Sequence, residues 1–487
     1  MKYTHIFTQR HLLKFGLLFL VSSTYVFSTG ANPSLAATRY VSPTGFSNWN
    51  NCTSQANPCN VATAMSNATA GDIVLFMDGI YDVTSTCNYQ LPSLNPSNSG
   101  TDANPIIFKS LNRYGANIRG HGTTCTTQSP YLATMIGAYG KNYITWDGFY
   151  LSARNATNTA DIFANARFDN AQGCKIINSV FKGGPHSQGG SANNAAIFFQ
   201  SANNLTIENN IIYEYRETNN NENNAGILGY PSSYLTIKNN EIYNSTNGIN
   251  LKDAISDVTI QYNYIHDNYK AIYIPNANGR ASNRVNIYHN VIANNTRTAI
   301  QTTNDAPVNY LVVYNNTIYI NSNSTDSADI ELKNPGIISA GYPKIYNNII
   351  RRGAKSLQTD GSANMLAECD HNQWSTNINI TVHKYQSPAT YTSLASWQNS
   401  GELDGSRNPG AGSMNSNPLF VNSSGSMNTL ADFGLQAGSP CIRAGRNSVN
   451  MGADISRVGV FSGGIPAPSL PPTEPESPST PSGFKTL

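Results

Sequence analysis

Lys252 offers more chemistry than any other residue of this 487-residue sequence. It closes the segment Gly248-Ile249-Asn250-Leu251-Lys252, and tyrosines stand at comparable places in the neighbouring segments, at Tyr230 and Tyr273. A lysine partly withdrawn from water sheds its proton readily and can act as a base. A tyrosine can supply the acid. Such a set could take a proton α to a carboxylate and release a glycosidic oxygen, which is how a uronate polymer undergoes elimination. The substrate carboxylates would need cations, and Lys270, Arg280, Arg284 and Arg297 follow on later segments. Asn250, Glu331 and Lys333 complete the polar set expected to face the substrate. The plainer reading is a solvated lysine on a long polar face, with tyrosines stacked along it. Stacked aromatics could also hold sugar rings without any chemistry.

A second set is acidic. The insertion between Tyr213 and Asn224 carries Glu214, Glu217 and Glu222. With Asp253 they could ligate calcium or form the carboxylate pair of a glycoside hydrolase; otherwise they belong to a solvated loop. His186 sits on a similar Gly-rich loop. His266 falls where Tyr213, Tyr243 and Tyr319 recur, which suits a place in a stack, and His289 reads as structural. No dinucleotide fingerprint, P-loop, HExxH or GxSxG arrangement occurs, so those enzyme classes have no support.

The elements that must position these residues come from a repeat. An apolar residue, two spacers, an Asn, any residue and an aliphatic residue recur with Asn at 210, 240, 263, 290, 316 and 348. Weaker copies centre on Asp147 and Asn178. A period of this size means a solenoid, a propeller or an array. Alternation dominates inside each copy, as in Leu235-Thr236-Ile237-Lys238, and no copy holds a helix-length pattern. Second strands are expected at Ala196–Phe199, Gly226–Gly229, Gly248–Lys252, Ala271–Ile274 and Asp329–Lys333. Two or three short strands per copy make one turn of a parallel β-helix, whereas a propeller blade needs four. Asn tolerates the αL turn between strands, and stacked Asn amides can hydrogen-bond along the axis. Eight anchors give seven rises of about 4.8 Å, roughly 34 Å in all. If Ile249 and Leu251 point inward, Gly248, Asn250 and Lys252 point outward. They then line up with Leu228 and Tyr230 before them, and with Tyr273 and Pro275, Gln301 and Thr303, and Glu331 and Lys333 after them.

The rest of the chain supports an exported protein. Residues 1–37 read as a signal peptide, with Lys2, Arg10 and Lys14 ahead of a mostly apolar run from Phe15 to Val26 that is too short to span a membrane. This leader holds three of the 30 basic residues and none of the 28 acidic ones, so the remainder is nearly neutral. Nothing global points to nucleic acid or to a membrane, and a monomer is expected. Seven cysteines in an exported chain suggest disulfides plus one left over. Cys52 with Cys59, Cys87 with Cys125, and Cys369 with Cys441 are the plausible pairs, with Cys174 the buried free thiol. Residues 38–130 read as an N-terminal cap and first turns, with a short helix over Asn60–Ala68. The repeats occupy 131–363, and 364–462 hold a last turn and an irregular C-terminal cap. The Pro/Ser-rich stretch 463–487 reads as a disordered tail.

Several motifs resemble a known group. Tyr40-Val41-Ser42-Pro43, Ala70-Gly71-Asp72, Asp78-Gly79-Ile80-Tyr81, Asn104-Pro105-Ile106 and Asn142-Tyr143-Ile144 are similar to the opening of secreted right-handed parallel β-helix proteins of the pectate-lyase superfamily. Asn417-Pro418-Leu419-Phe420, Asp432-Phe433-Gly434 and Met451-Gly452-Ala453-Asp454 resemble that group's ending. The resemblance implies an all-β right-handed parallel β-helix solenoid with capped ends. Gly248 to Lys252 also resembles the strand carrying the catalytic lysine in the chondroitinase-B and alginate-lyase branch. That branch has two Glu calcium ligands just before its lysine, where this chain has Ser245 and Asn247. The branch's Arg on the next turn falls near Tyr273.

Three functions follow from these readings. The first is a secreted or periplasmic lyase acting on an acidic polysaccharide, with calcium as its implied cofactor. The second is a noncatalytic carbohydrate-binding or surface protein, and the third is a glycoside hydrolase. An unsaturated product marks the first, binding without product marks the second, and dependence on two carboxylates rather than Lys252 marks the third.

Overall fold

The structure, a computed structural model, describes residues 37–84, 91–121, 131–152, 161–183, 193–216, 223–276, 278–303, 305–319, 327–333, 341, 343–351, 354–360, 366–376, 378–384, 387–400, 409–422 and 427–460. Nearly all of the expected leader, the Pro/Ser-rich tail, Cys87, Cys125, His186, Glu217 and Glu222 lie outside the described residues.

Each turn of the solenoid passes through three short strands. In one turn these are Ser233–Lys238, Glu241–Tyr243 and Asn247–Leu251. Equivalent strands of successive turns pair in parallel. They build a 13-stranded sheet 1, a 10-stranded sheet 2 and a 12-stranded sheet 3. Among the described strands, Ile380–Lys384 and Ser387–Tyr391 alone pair antiparallel, at the end of sheet 3. The alternating sequence explains the strands. Ile207, Ile237, Ile260, Ile287, Val313 and Ile345 stack inside sheet 1, and Ile212, Ile242, Ile265, Ile292, Ile318 and Ile350 inside sheet 2. Ile197, Ile227, Ile249, Ile272, Ile300 and Ile330 do the same in sheet 3. Each fully buried branched side chain contributes about 1.5–3 kcal/mol. Near the N-terminal end the core turns aromatic, with Trp146 stacked on Phe108 at 4.6 Å. The helix Val61–Asn67 packs there, capped by the Asn60 side chain, which accepts from the Thr63 N–H.

The corner from sheet 1 to sheet 2 carries the asparagine ladder. Asn210, Asn240, Asn263, Asn290, Asn316 and Asn348 form one column. Each donates its backbone N–H and its Nδ2 to the Oδ1 of the next, at 2.9–3.0 Å. Asn372 extends the column at one end and Ser179 receives it at the other. Two details differ from the sequence reading. Asp147 and Asn178 stand outside the column; Ser179 and Phe149 occupy their turns, with the Phe149 N–H donating to Ser179 Oγ. The αL conformation belongs to the residue before each ladder Asn, namely Asn209, Asn239, Tyr262, His289, Asn315 and Asn347. The ladder Asn recurs for its hydrogen bonds, and its neighbour makes the turn.

Those αL side chains face outward and hold the C-terminal segment, which runs back along this corner. Arg446 Nη1 reaches Glu368 Oε2 at 2.5 Å, its other amines reach Asp370, and its guanidinium lies 4.1 Å from the Tyr346 ring. Asn315 donates to the Asn450 carbonyl at 2.7 Å, and Asn239 to the Arg457 carbonyl at 2.6 Å. Phe420, Phe433, Cys441 and Met451 bury against Tyr264, Tyr319 and Ile349. Cys369 lies instead in the solenoid core, so this structure does not join it to Cys441. Cys52 and Cys59, expected as a pair, are buried near one another as free thiols, and burial pushes the Cys59 thiol up to about 12, with the Cys52 thiol adding to the shift. Cys174 is a buried free thiol.

Candidate active site

The outer face of sheet 3 carries the chemically distinctive side chains. Its register aligns Arg167, Phe198, Leu228, Asn250, Tyr273, Gln301 and Glu331 in one column along the axis. One residue on, Gly229 pairs with Leu251, and the Lys252 N–H donates to the Gly229 carbonyl at 2.7 Å, which sets Lys252 beside Tyr230. The expected outward alignment is therefore observed for Asn250 and Lys252. Gly248 is a correction. A Cβ there would stand 2.7 Å from the Ala271 carbonyl and 2.8 Å from Ile265 Cγ2, so Gly248 faces the core. Alternation breaks after the corner: Asn247 takes the outer place, and Gly248 and Ile249 both point inward. The inward column Gly226, Gly248, Ala271 and Ala299 is small because two successive inward residues crowd it.

Lys252 is 8% exposed. Its Nζ donates to Asn193 Oδ1 at 2.9 Å and to Asn223 Oδ1 at 2.6 Å, and lies 5.5 Å from the Tyr230 ring centroid. Burial lowers its pKa to about 8, and the Asp253 charge only partly opposes this. The two acceptors suit a neutral amine, which has two N–H donors and one lone pair. Burial raises the Tyr230 pKa, its hydrogen bond with Asn193 works the other way, and the Asp253 charge adds to the rise. Tyr230 thus keeps its proton where Lys252 gives one up, and Asn193 touches both. Asn193 and Asn223 were not singled out in the sequence. The signal was there: Asn193-Asn194-Ala195 and Asn223-Asn224-Ala225 are the same tripeptide one turn apart.

The neighbouring turns pair off separately. Lys270 is fully buried, with its Nζ 4.0 Å from the Tyr273 ring centroid. Tyr273 therefore partners Lys270, and Tyr230 is the tyrosine brought to Lys252. Arg297 lies at the margin beside this pair and bonds Tyr269 Oη at 3.0 Å. Further along, Gln301 Nε2 and Lys333 Nζ hold Glu331 at 2.6 and 2.9 Å. On the other side Arg167 binds Asp169 at 2.5 Å between Phe163 and Phe198, a buried pair that no sequence pattern announces. Arg280 is exposed in the turn that leaves sheet 3. Arg284 does not belong to the set: it lies on sheet 1, paired with Asp257 at 2.5 Å. His266 takes its expected place in a stack, 5.0 Å from Tyr243, and His289 stacks on Tyr262 at 5.1 Å.

Of the acidic set, the two described members, Glu214 and Asp253, do not come together. Glu214 is exposed on the turn entering sheet 3, while Asp253 is buried on the turn leaving it and accepts from the Asn278 N–H at 2.9 Å. Calcium does not fit the positions where the lysine-bearing branch would hold it. Ser245 Oγ donates to the Tyr243 carbonyl and Asn247 Nδ2 to the Asn224 carbonyl, so neither brings a carboxylate. Among the described residues no three His, Cys, Asp or Glu side chains gather as a metal site, and no helix is long and apolar enough to cross a membrane.

Residues 164–350 match the family model of the right handed beta helix region. The chain is a right-handed parallel β-helix. A solved structure agrees on that fold. This β-helix is similar to pectate lyase Pel9A, at 16% identity over 86% of this chain and 96% of that one, with a TM-score of 0.54. It is also similar to a rhamnogalacturonan lyase, at 13% identity over 79% and 91% with a TM-score of 0.49. A lacto-N-biosidase from Eubacterium ramulus follows at 11% identity, 70% and 64%, and 0.46. No curated protein sequence matches the β-helix. At these identities the likeness concerns the fold, and it bears out the expected resemblance to pectate-lyase-like β-helices at that level.

Proposed function

We propose that this β-helix is an exported lyase that cleaves an acidic, uronate-containing polysaccharide by β-elimination on the outer face of sheet 3. The observation that carries the proposal is Lys252: buried, lowered to about 8, and tethered through two N–H donors beside a protonated Tyr230. Neutral Lys252 takes the proton from the carbon α to the carboxylate. The electron pair forms the carbon–carbon double bond and expels the glycosidic oxygen, which takes the Tyr230 proton. Both groups approach from one side of the sugar, which suits a syn elimination. Arg297, at the margin of the same face, is placed to hold a substrate carboxylate. No step passes through calcium. A solved β-helix similar to this chain is a pectate lyase, which agrees with this substrate class.

A second reading has an observation of its own. Lys252 is nearly enclosed by Asn193 and Asn223, an arrangement that also suits a noncatalytic face that binds sugars through its aromatic residues. The test is incubation of residues 38–462 with pectate, alginate and sulfated glycosaminoglycans, with calcium and then with chelator, following the ultraviolet absorbance of an unsaturated uronate. Absorbance rising on one polymer supports the lyase. A flat trace on all of them, with binding retained, transfers the assignment to the binding face.

A further inference from the structure

On sheet 1, around the corner from Lys252, one surface column has no part in the lyase chemistry. Its residues all sit in the αL conformation at the start of the sheet 1 strands: Tyr143, Gly173, Asn204, Tyr234, Asp257, Arg284 and Tyr310. The register of adjoining residues stacks them one per turn. Tyrosines therefore recur at every third turn. Successive rings lie about 14 Å apart and the row spans about 29 Å, from a rise of about 4.8 Å per turn. Tyr234 is 59% exposed and Tyr310 48%, large values for aromatic residues that could have packed inward. Tyr143 lies directly over Gly173, where a Cβ would come within 2.4 Å of its ring, so glycine keeps that ring flat on the surface.

Between Tyr234 and Tyr310 the row is polar and electrically balanced. Arg284 binds both oxygens of Asp257, at 2.5 and 2.6 Å, so the centre of the row presents hydrogen-bonding groups without net charge. Beside it a shallow cavity of about 340 Å³ is lined by Asp257, Thr259, Arg284, Asn286, Tyr310 and Val312. The C-terminal segment covers the opposite corner of sheet 1 and leaves this row open.

We propose that this row is a glycan-binding platform for an extended chain of neutral sugars lying parallel to the solenoid axis. The apolar C–H face of a pyranose packs on the electron-rich face of a tyrosine ring, while its hydroxyls need donors and acceptors such as Asn204, Asp257, Arg284 and Asn286. The spacing suits an extended polysaccharide, whose sugar-to-sugar repeat is close to the turn-to-turn rise. A nucleic acid or an acidic polymer would need surplus positive charge, which the Asp257–Arg284 pair cancels. The platform is independent of Lys252. It would hold uncharged stretches of a cell-wall polymer while the sheet 3 face works elsewhere.

The test is affinity electrophoresis of the full chain in gels cast with soluble xyloglucan, glucomannan, arabinoxylan or galactan. The comparison set is Lys252→Ala and the double variant Tyr234→Asn with Tyr310→Asn; Asn accepts the αL backbone and removes the ring. The wild type and Lys252→Ala should be retarded alike by at least one neutral glycan. The double variant, with an unchanged melting temperature, should need at least tenfold more glycan for the same retardation, whereas Tyr234→Trp alone should be retarded like the wild type. No retardation by any of the four glycans overturns the proposal, as does retardation that the double variant retains.

Discussion

Replacing Asn263 with Ala should damage the solenoid far more than its single amide suggests. The Asn263 side chain is fully buried. Its Nδ2 donates to the carbonyls of Ile237 and Gln261 and to Asn290 Oδ1, each at 3.0 Å. Its Oδ1 accepts from the Asn240 backbone N–H and from Asn240 Nδ2, both at 2.9 Å. The substitution strands the Asn240 N–H without a partner away from water, at a cost of about 1–3 kcal/mol, and weakens four further bonds worth about 0.5–1.5 kcal/mol each. Some of those groups keep a second partner, so the expected loss is about 3–5 kcal/mol rather than the sum. Asn286 is the control: it lies one turn on, on the outer face of sheet 1, and is half-exposed. Urea unfolding followed by circular dichroism and tryptophan fluorescence reads both variants. Asn286→Ala should shift stability by less than about 0.5 kcal/mol. A loss below about 1 kcal/mol for Asn263→Ala, or equal losses for the two variants, would refute the role given to the ladder.

Other consequences follow from the same structure. Lys252→Met should stabilise the protein at pH 7 by about 1–2 kcal/mol. The lysine pKa falls from 10.5 to about 8 on folding, a penalty on the order of 3 kcal/mol that lost hydrogen bonds to Asn193 and Asn223 partly offset. Between about pH 8 and 10.5 the unfolded wild type holds a proton that the folded one has released. Wild-type stability therefore rises with pH there, and the advantage of the variant should fade across that window in urea titrations. Gly248→Ala should cost about 1–3 kcal/mol in the same assay, because its Cβ meets the Ala271 carbonyl and Ile265. Arg446→Ala should release the C-terminal segment from Glu368, Asp370 and Tyr346 and cost about 1.5–3 kcal/mol. Limited proteolysis should then cut within 409–460 before it reaches the solenoid.

Much of this architecture is legible in the residues because a solenoid repeats its own instructions. Six asparagines and three stacks of branched residues carry the turn length and the inward face, so the outward alignment of Leu228, Asn250, Tyr273, Gln301 and Glu331 can be read from the residues alone. The misreadings have local causes. Gly248 breaks alternation because the chain leaves a corner one residue earlier, and period two cannot register a corner. Asn178 looks like a ladder member but makes the αL turn, one position away. Arg284 follows Lys252 by one repeat in the sequence, yet a turn separates the two sheets they belong to. The return of residues 443–459 along the sheet 1–sheet 2 corner depends on single contacts such as Arg446 with Asp370, which leave no periodic trace. At the candidate site Lys252 stands out by residue type, whereas Asn193 and Asn223 gain their meaning only when two turns are laid side by side.

The measurement closest to the central claim is the pH dependence of unsaturated-product formation on the polymer that responds, for the wild type, Lys252→Ala and Tyr230→Phe. The initial rate should rise with pH to a plateau above about 8, as Lys252 loses its proton and becomes the base. Lys252→Ala should abolish the product at every pH while remaining folded, and Tyr230→Phe should lower the rate at least tenfold. A wild-type rate indifferent to pH between 6 and 9, or product still formed by Lys252→Ala, would contradict the assignment of Lys252 as the base.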